Sequence, residues 1–331
     1  MSPDRPTLRT VAERTGLHVS TVARALRRPA DADATATLVH ATAAAVGYRP
    51  DIGAASLRTR RSRVLGMLVH ALTDVLHAII YEAVEAAVAP AGYQLLVVTT
   101  HDRPRAQREK IELMLSRRVD GLIIADAHAD GSYVDWVATL GVPYVLALRR
   151  SGTHPAVVGD DRAGGALAAH HLADLGHRRI AMLEGPAYSS ASALRSLGFR
   201  ETLAARGIPL DSGLREPTAL FAQNGQAAMV RLLERRRDFS AVFAVNDMAT
   251  LGAIRALRDA GLQAGRDVAA IGYNDVPIAA AVGLTTIRSQ QSEIGRLAAE
   301  QMLRAIDGEP PATIVLPPTL VVRETTMPAP R

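Results

Sequence analysis

Three polar side chains near the start of the chain, Ser20, Thr21 and Arg24, have the types and spacing to grip a nucleic acid. On one helix they share a side, because residues three or four apart are neighbours on a helix surface. Arg24 can pair with guanine O6 and N7, a contact that discriminates between bases by about 1–3 kcal/mol. Thr21 suits a phosphate oxygen. Motifs for covalent chemistry are missing: there is no G-x-S-x-G nucleophile elbow, no G-x-G-x-x-G after a strand, and no phosphate loop ending in Gly-Lys-Ser/Thr. His170, His171 and His177 invite a metal, but the first two are adjacent and point in different directions on a helix, and no H-E-x-x-H is present. No metal or cofactor is therefore expected.

The element that must carry those side chains is written into residues 7–26, TLRTVAERTGLHVSTVARAL. Leu8, Val11 and Ala12 stripe a first helix, and the small Ala12 lets a second helix approach. Gly16 stops the first helix in the left-handed geometry that glycine accepts, and Leu17 fills the bend. A second helix is expected from Val19 to Leu26, with Val22 and Leu26 facing inward and Ser20, Thr21, Ala23 and Arg24 left outside. A helix-turn-helix lays such a second helix in the DNA major groove. A third helix is expected over Ala34–Val46, anchored by Leu38, Val39 and Val46, and ended by Gly47 and Pro50. Charge agrees with this reading. Residues 1–63 hold eleven arginines against five acidic residues, a net of +6, while the whole chain carries +5. The basic excess thus lies entirely beside the helix pair, the electrostatic footprint of phosphate binding. In DIGAASLRTRRSR, residues 51–63, a short helix would present Ala54 and Leu57 among arginines. An exposed leucine so flanked suits a wedge that enters the minor groove.

From Val64 the pattern becomes an alternation of short apolar runs and amphipathic stretches. VLGMLV, QLLVVTT, GLIIA and YVLAL read as buried strands, separated by helices over Ala78–Val88, Pro104–Arg117 and Tyr133–Leu140. AVVGDD, RIAMLE, AVFAV and VAAIGY repeat the theme, with helices over Ala163–Leu175, near Leu197–Ala205, and over Gln226–Arg235 and Met248–Ala260. The class is α/β, with two doubly wound parallel sheets and a cleft between them. A helix over Gln290–Ile306 and strands in TIVLPP and TLVVRE come last. Extra elements after two such units imply that the chain crosses back between them. The absence of cysteine excludes disulfides and thiolate metal sites and fits a reducing cytoplasm. MSPDRPTLRT is polar and no apolar run approaches a membrane span, so a cytoplasmic protein without membrane contact is expected.

Taken in order, these phrases resemble the lac-repressor (LacI/GalR) family of transcription regulators over nearly the whole chain. The likeness is carried by TLRTVAERTGLHVSTVARAL and GYRP, by ASLRTRRS, and by RRVDGLIIA, HLADLGHRRIAMLEGP, NDMATLGAIRALRDAGL, DVAAIGYND and LPPTLVVRET. The resemblance implies a helix-turn-helix headpiece over residues 1–50, a hinge helix over 51–63 and a periplasmic-binding-protein-like core over 64–331. Within the core, one subdomain would take 64–160 and 290–318, and the other 161–289 and 319–328. It also implies a homodimer or a dimer of dimers on a palindromic double-stranded operator, since a two-fold axis doubles the bases read. By position, Val19 and Ser20 start the base-reading face, Leu57 falls on the minor-groove wedge and Ala54 on its small partner. His18 stands where a serine cap is usual, which would leave the start of the reading helix loosely held. Asp51 and Ala55 replace a usual Asn and Arg of the hinge.

Ligands of open parallel sheets sit outside the carboxyl ends of the strands. That rule places His70–His77, Ala147–Arg150, Asp160–Arg162, Gly185–Arg195, Phe221, Asn246–Asp247 and Tyr273–Asp275 at the cleft. Arg195, Asn246 and Phe221 match effector-contacting positions of the family. Arg195 can fork onto a hydroxyl pair or carboxylate, Asn246 offers donor and acceptor, and Phe221 can stack on an apolar face. Three departures mark this cleft. Asp74-Val75-Leu76-His77 stands where Asn-Pro-Phe-Phe is common, Leu148 replaces a frequent carboxylate, and Asn274 replaces the first Asp of a pair. The small-molecule effector is therefore expected to be a sugar or related metabolite less like a simple hexose. Two classes of function result: an effector-controlled DNA-binding regulator, most simply a repressor, or a cleft-closing enzyme or solute-binding protein with a helical appendage.

Overall fold

The computed structural model describes residues 6–49 and 61–328, and the chain divides into two compact units, Met1–Ser62 and Arg63–Arg331. In the first unit, α1 (Leu8–Thr15) opens with a reciprocal cap. Thr7 Oγ1 accepts the Thr10 amide at 3.3 Å, and Thr10 Oγ1 accepts the Thr7 amide at 3.1 Å. Gly16 closes it at φ 68°. Then come α2 (Val19–Ala25) and α3 (Ala34–Val46), the latter capped by Asp33 Oδ1 on the Ala36 amide at 2.8 Å. Val11, Ala12, Val22, Ala25, Val39 and Ala43 form the buried core. Two expected anchors shift. Leu38 is 49% exposed, because Ala36, Val39 and Ala43 define the inner face of α3. Ala25 is buried where Leu26 was expected, and Leu26 and Leu17 pack only at the rim of the core.

The second unit holds two six-stranded sheets. The first runs β11-β5-β4-β3-β1-β2, all parallel, from β1 (Val64–Val69), β2 (Gln94–Thr99), β3 (Gly121–Ile124), β4 (Tyr144–Ala147), β5 (Ala156–Gly159) and β11 (Ile314–Leu316). The second runs β12-β10-β9-β8-β6-β7, from β6 (Ile180–Glu184), β7 (Arg215–Pro217), β8 (Ala241–Ala244), β9 (Ala269–Asn274), β10 (Thr285–Arg288) and β12 (Thr319–Val321). Among the described residues only β12 is antiparallel to its neighbour. Helices cover both faces, so the inner strands read as continuous apolar runs.

On the first sheet, α4 (Val75–Val88) and α12 (Gln291–Ile306) bury Leu76, Ile80, Val84, Ile294, Ala298 and Met302 on one face. α5 (Pro104–Ser116) and α6 (Ser132–Thr139) bury Ile111, Met114, Val134 and Val137 on the other. On the second, α7 (Asp161–Asp174) and α8 (Ser190–Ala205) pack opposite α9 (Ala222–Arg235) and α10 (Asp247–Asp259). A short α11 (Pro277–Ala281) precedes β10. Glycine sets two of these helix contacts. A Cβ at Gly165 would overlap the Arg195 carbonyl across α7/α8, and one at Gly252 would overlap the Ala222 carbonyl across α9/α10. The chain passes between the sheets three times, after β5, after β10 and between β11 and β12.

Candidate functional site: an exposed reading helix and a histidine-lined cleft

The fold of the first unit leaves one side of α2 open. Val22 and Ala25 are buried, Thr21 and Ala23 half-buried, and Val19, Ser20 and Arg24 exposed, Val19 by 38%. The start of α2 is not loose: His18 caps it, its Nδ1 accepting the Ser20 amide at 3.3 Å and lying 2.8 Å from Ser20 Oγ. Ala54 and Leu57 lie outside the described residues.

In the second unit, the carboxyl ends of both sheets face a common cleft. Asp74, Leu76, Leu148, Arg195, Asn246 and Asn274 line one cavity in it, with about 30 Å³ of open space. Arg195 is buried, with Nε on Asp161 Oδ1 at 2.8 Å, Nη1 on the Val245 carbonyl at 2.7 Å, and its guanidinium 3.7 Å from the centre of the Tyr273 ring. Burial opposes its charge, yet Asp161 and Tyr273 keep its pKa above the ordinary value. Asn246 spends much of its amide internally: Oδ1 caps α10 on the Ala249 amide at 2.9 Å, and Nδ2 donates to the Leu220 carbonyl at 2.8 Å. Asn274 holds a strained backbone at φ 111°, as do Leu148 at φ 66° and Asp275 at φ 59°. Phe221 stands outside the cavity lining and meets His70 across the cleft, ring centres 5.4 Å apart.

Two groups beside the cleft, Asp102 and His128, were not singled out from the sequence, whereas Asp74 and His77 were. Asp74 caps α4 on the Leu76 amide at 3.2 Å, and His77 Nδ1 lies 3.6 Å from its other oxygen, too far for a hydrogen bond. Burial alone would raise the Asp74 carboxyl, but the His77 imidazole and the Leu76 amide hold it below its usual range. His77 lines the cavity at 2% exposure, and neither ring nitrogen has a hydrogen-bond partner among the described residues. Beside it, Asp102 takes both prongs of Arg149 at 2.8 and 3.1 Å and the Tyr188 hydroxyl at 3.2 Å, and His70 Nδ1 lies 3.0 Å from it without making a hydrogen bond. Burial works against that carboxylate as well, and His70 and Arg149 together drive it far below the ordinary range. Tyr188 stacks on His128 at 4.6 Å. Asp102 and His128 follow the carboxyl ends of β2 and β3, so the strand-end rule that found the other loops points to them too. His171 and His177 are structural: they bond Thr326 Oγ1 at 2.9 Å, and Ser240 Oγ and the Met327 carbonyl at 2.8 and 3.0 Å. No group of three potential metal ligands occurs among the described residues.

The cleft therefore offers donors from Arg195 and His77, an ionised acceptor at Asp74, and aliphatic walls from Leu76, Leu148 and Leu220. That is equipment for holding a small polar molecule. Comparison with known proteins agrees in both halves. A periplasmic binding protein-like domain model matches residues 169–326. The chain is 32% identical to the HTH-type transcriptional regulator CelR of Thermobifida fusca, covering 97% of this chain and 98% of that protein. Among solved structures, a lac repressor dimer bound to operator and the anti-inducer ONPF matches with a TM-score of 0.87 at 27% identity, over 98% of this chain and all of that one. A complex of transcriptional regulator CelR with cellobiose matches with a TM-score of 0.74 at 30% identity, over 97% of this chain and 100% of that one.

Proposed function

The chain belongs to the LacI/GalR family of transcriptional regulators, and we propose that it reads a palindromic operator through α2 under the control of a small molecule bound in the cleft. The observation that carries the DNA half is the packing of α2, which buries Val22 and Ala25 and turns Val19, Ser20 and Arg24 outward. Thr21 is assigned to phosphate, and Ala54 and Leu57 to the minor groove. The effector half rests on the cavity, where Asp74, Leu76, Leu148, Arg195, Asn246 and Asn274 converge, with Phe221 at its edge. The effector is a compact polar molecule with an aliphatic flank, since among the described residues no aromatic ring lines the cavity other than the His77 imidazole. Binding alters the angle between the two sheets, which alters hinge spacing in a homodimer and hence DNA affinity. The protein acts in the cytoplasm as a repressor and performs no catalytic step. No helix among the described residues is long and apolar enough to cross a membrane.

A gel-shift titration with duplexes drawn from the chain's own genomic neighbourhood tests this. Binding should concentrate on a palindrome, fall steeply with salt, and vanish in Leu57→Ala. Arg24→Ala should relax preference at one position per half-site while general affinity is largely kept. Uniform weakening on every duplex would refute the groove assignment. Tight calorimetric binding of glucose or galactose would refute the effector class.

A further inference from the structure

The cap on α2 has a chemical consequence for what the helix reads. A backbone N–H can only donate, so the 3.3 Å contact from the Ser20 amide requires a lone pair on His18 Nδ1. The ring proton then sits on Nε2. Ser20 Oγ lies 2.8 Å from the same nitrogen. Two lone pairs cannot face each other at that distance, so the hydroxyl donates its proton to the imidazole. We infer that His18 commits the Ser20 proton and so turns Ser20 into an acceptor-only group at the DNA face. This rests on the assignment of α2 as the base-reading helix.

The selectivity follows from the groove code. A serine hydroxyl free to rotate donates or accepts, and so serves any base. One whose proton is held presents only lone pairs, and the donors available in the major groove are the amino groups of adenine N6 and cytosine N4. Guanine and thymine edges carry acceptors alone and would face oxygen with oxygen. Ser20 therefore selects an amino-bearing edge, and His18 is the specificity-determining residue behind it.

The test is in vitro selection from a randomised duplex library, using the full chain and the variants His18→Ser, His18→Asp and Ser20→Ala. Serine at position 18 caps the helix through its own hydroxyl but leaves Ser20 free; aspartate caps the helix and still accepts the Ser20 proton. The parent chain should restrict one position per half-site to A or C on one strand, hence T or G on its complement, by about three- to tenfold, the worth of one net hydrogen bond. Ser20→Ala should erase that restriction, His18→Ser should relax it, and His18→Asp should retain it. Because the readout is base preference among bound duplexes, a change in overall affinity does not obscure it. Equal restriction in His18→Ser and the parent, or a position released by Ser20→Ala whose permitted bases in the parent are not A and C on one strand and T and G on its complement, would overturn the inference. Failure of the parent chain to enrich any duplex would instead bring down the DNA reading itself, and this inference with it.

Discussion

Asp247 allows the sharpest test of the forces in the core. It is the first residue of α10, 1% exposed, and its carboxylate accepts the Thr286 hydroxyl at 2.5 Å and the Val276 amide at 2.9 Å. Both donors favour the charged form, but burial outweighs them and pushes the carboxyl from 3.8 up to about 7. The folded state thus binds its proton more tightly than the unfolded chain. Below the unfolded value both states are protonated and Asp247 is neutral toward stability. As pH rises toward 7 the unfolded chain ionises first, and stability is lost across that window. The gap is worth about 4 kcal/mol in total, of which about 3 falls between about pH 5 and about pH 9. Asp247→Asn should abolish the effect, since its amide can accept from Val276 and donate to Thr286 as the protonated acid does. Urea unfolding of both chains across that range gives the answer. The variant should gain about 3 kcal/mol on the parent from the acid to the alkaline end. A difference that stays flat with pH would show that the two donors, not burial, set the carboxyl.

Two further perturbations address packing. Gly165→Ala should lower core stability by about 3 kcal/mol in a thermal or urea melt, because its methyl group meets the Arg195 carbonyl, backbone that cannot swing aside. A loss under about 1 kcal/mol would mean that α7 and α8 slide apart freely. Val22→Ala removes a fully buried side chain from the small three-helix core and should cost that unit about 2 kcal/mol. Hydrogen exchange should quicken over α1–α3 alone, and faster exchange in the two sheets would contradict the division into separate units.

Most of the architecture was legible because its signal is periodic. Parallel strands buried on both faces leave unbroken apolar runs, and helix ends carry glycine or a capping side chain. What escaped was short or locally atypical. β7 contains Arg, Glu and Pro, and is held at a sheet edge by pairing with β6. β10, TTIR, is too brief to announce itself, yet Thr285 and Thr286 are fully buried. Helix starts were placed late wherever the first turn lines the cleft. α4 begins at Val75 instead of Ala78, and α8 at Ser190 instead of near Leu197, because Asp74 and Ser189 cap turns whose residues look like loop. At the site, the strand-end rule named most of the loops that converge. It could not show that Asn246 is half-committed to capping, nor that Phe221 leans on His70 and leaves the cavity lining to Leu220. Those outcomes depend on side-chain competition between elements far apart in sequence.

Closure of the cleft is held largely by loop side chains, and this bears on how an effector would act. From the second sheet's loops, Tyr188 reaches Asp102 and His128, Ser190 Oγ accepts the Arg150 amide at 2.8 Å, and Phe221 meets His70. Burial and the Asp102 charge push the Tyr188 phenol to about 12, so it remains a donor across the physiological range. The open space of about 30 Å³ has room for about two waters, whereas ligand pockets begin near ~300 Å³. On the proposed reading, entry of an effector requires the sheets to part and these contacts to break. The effector shifts the balance between open and closed forms by its differential affinity alone.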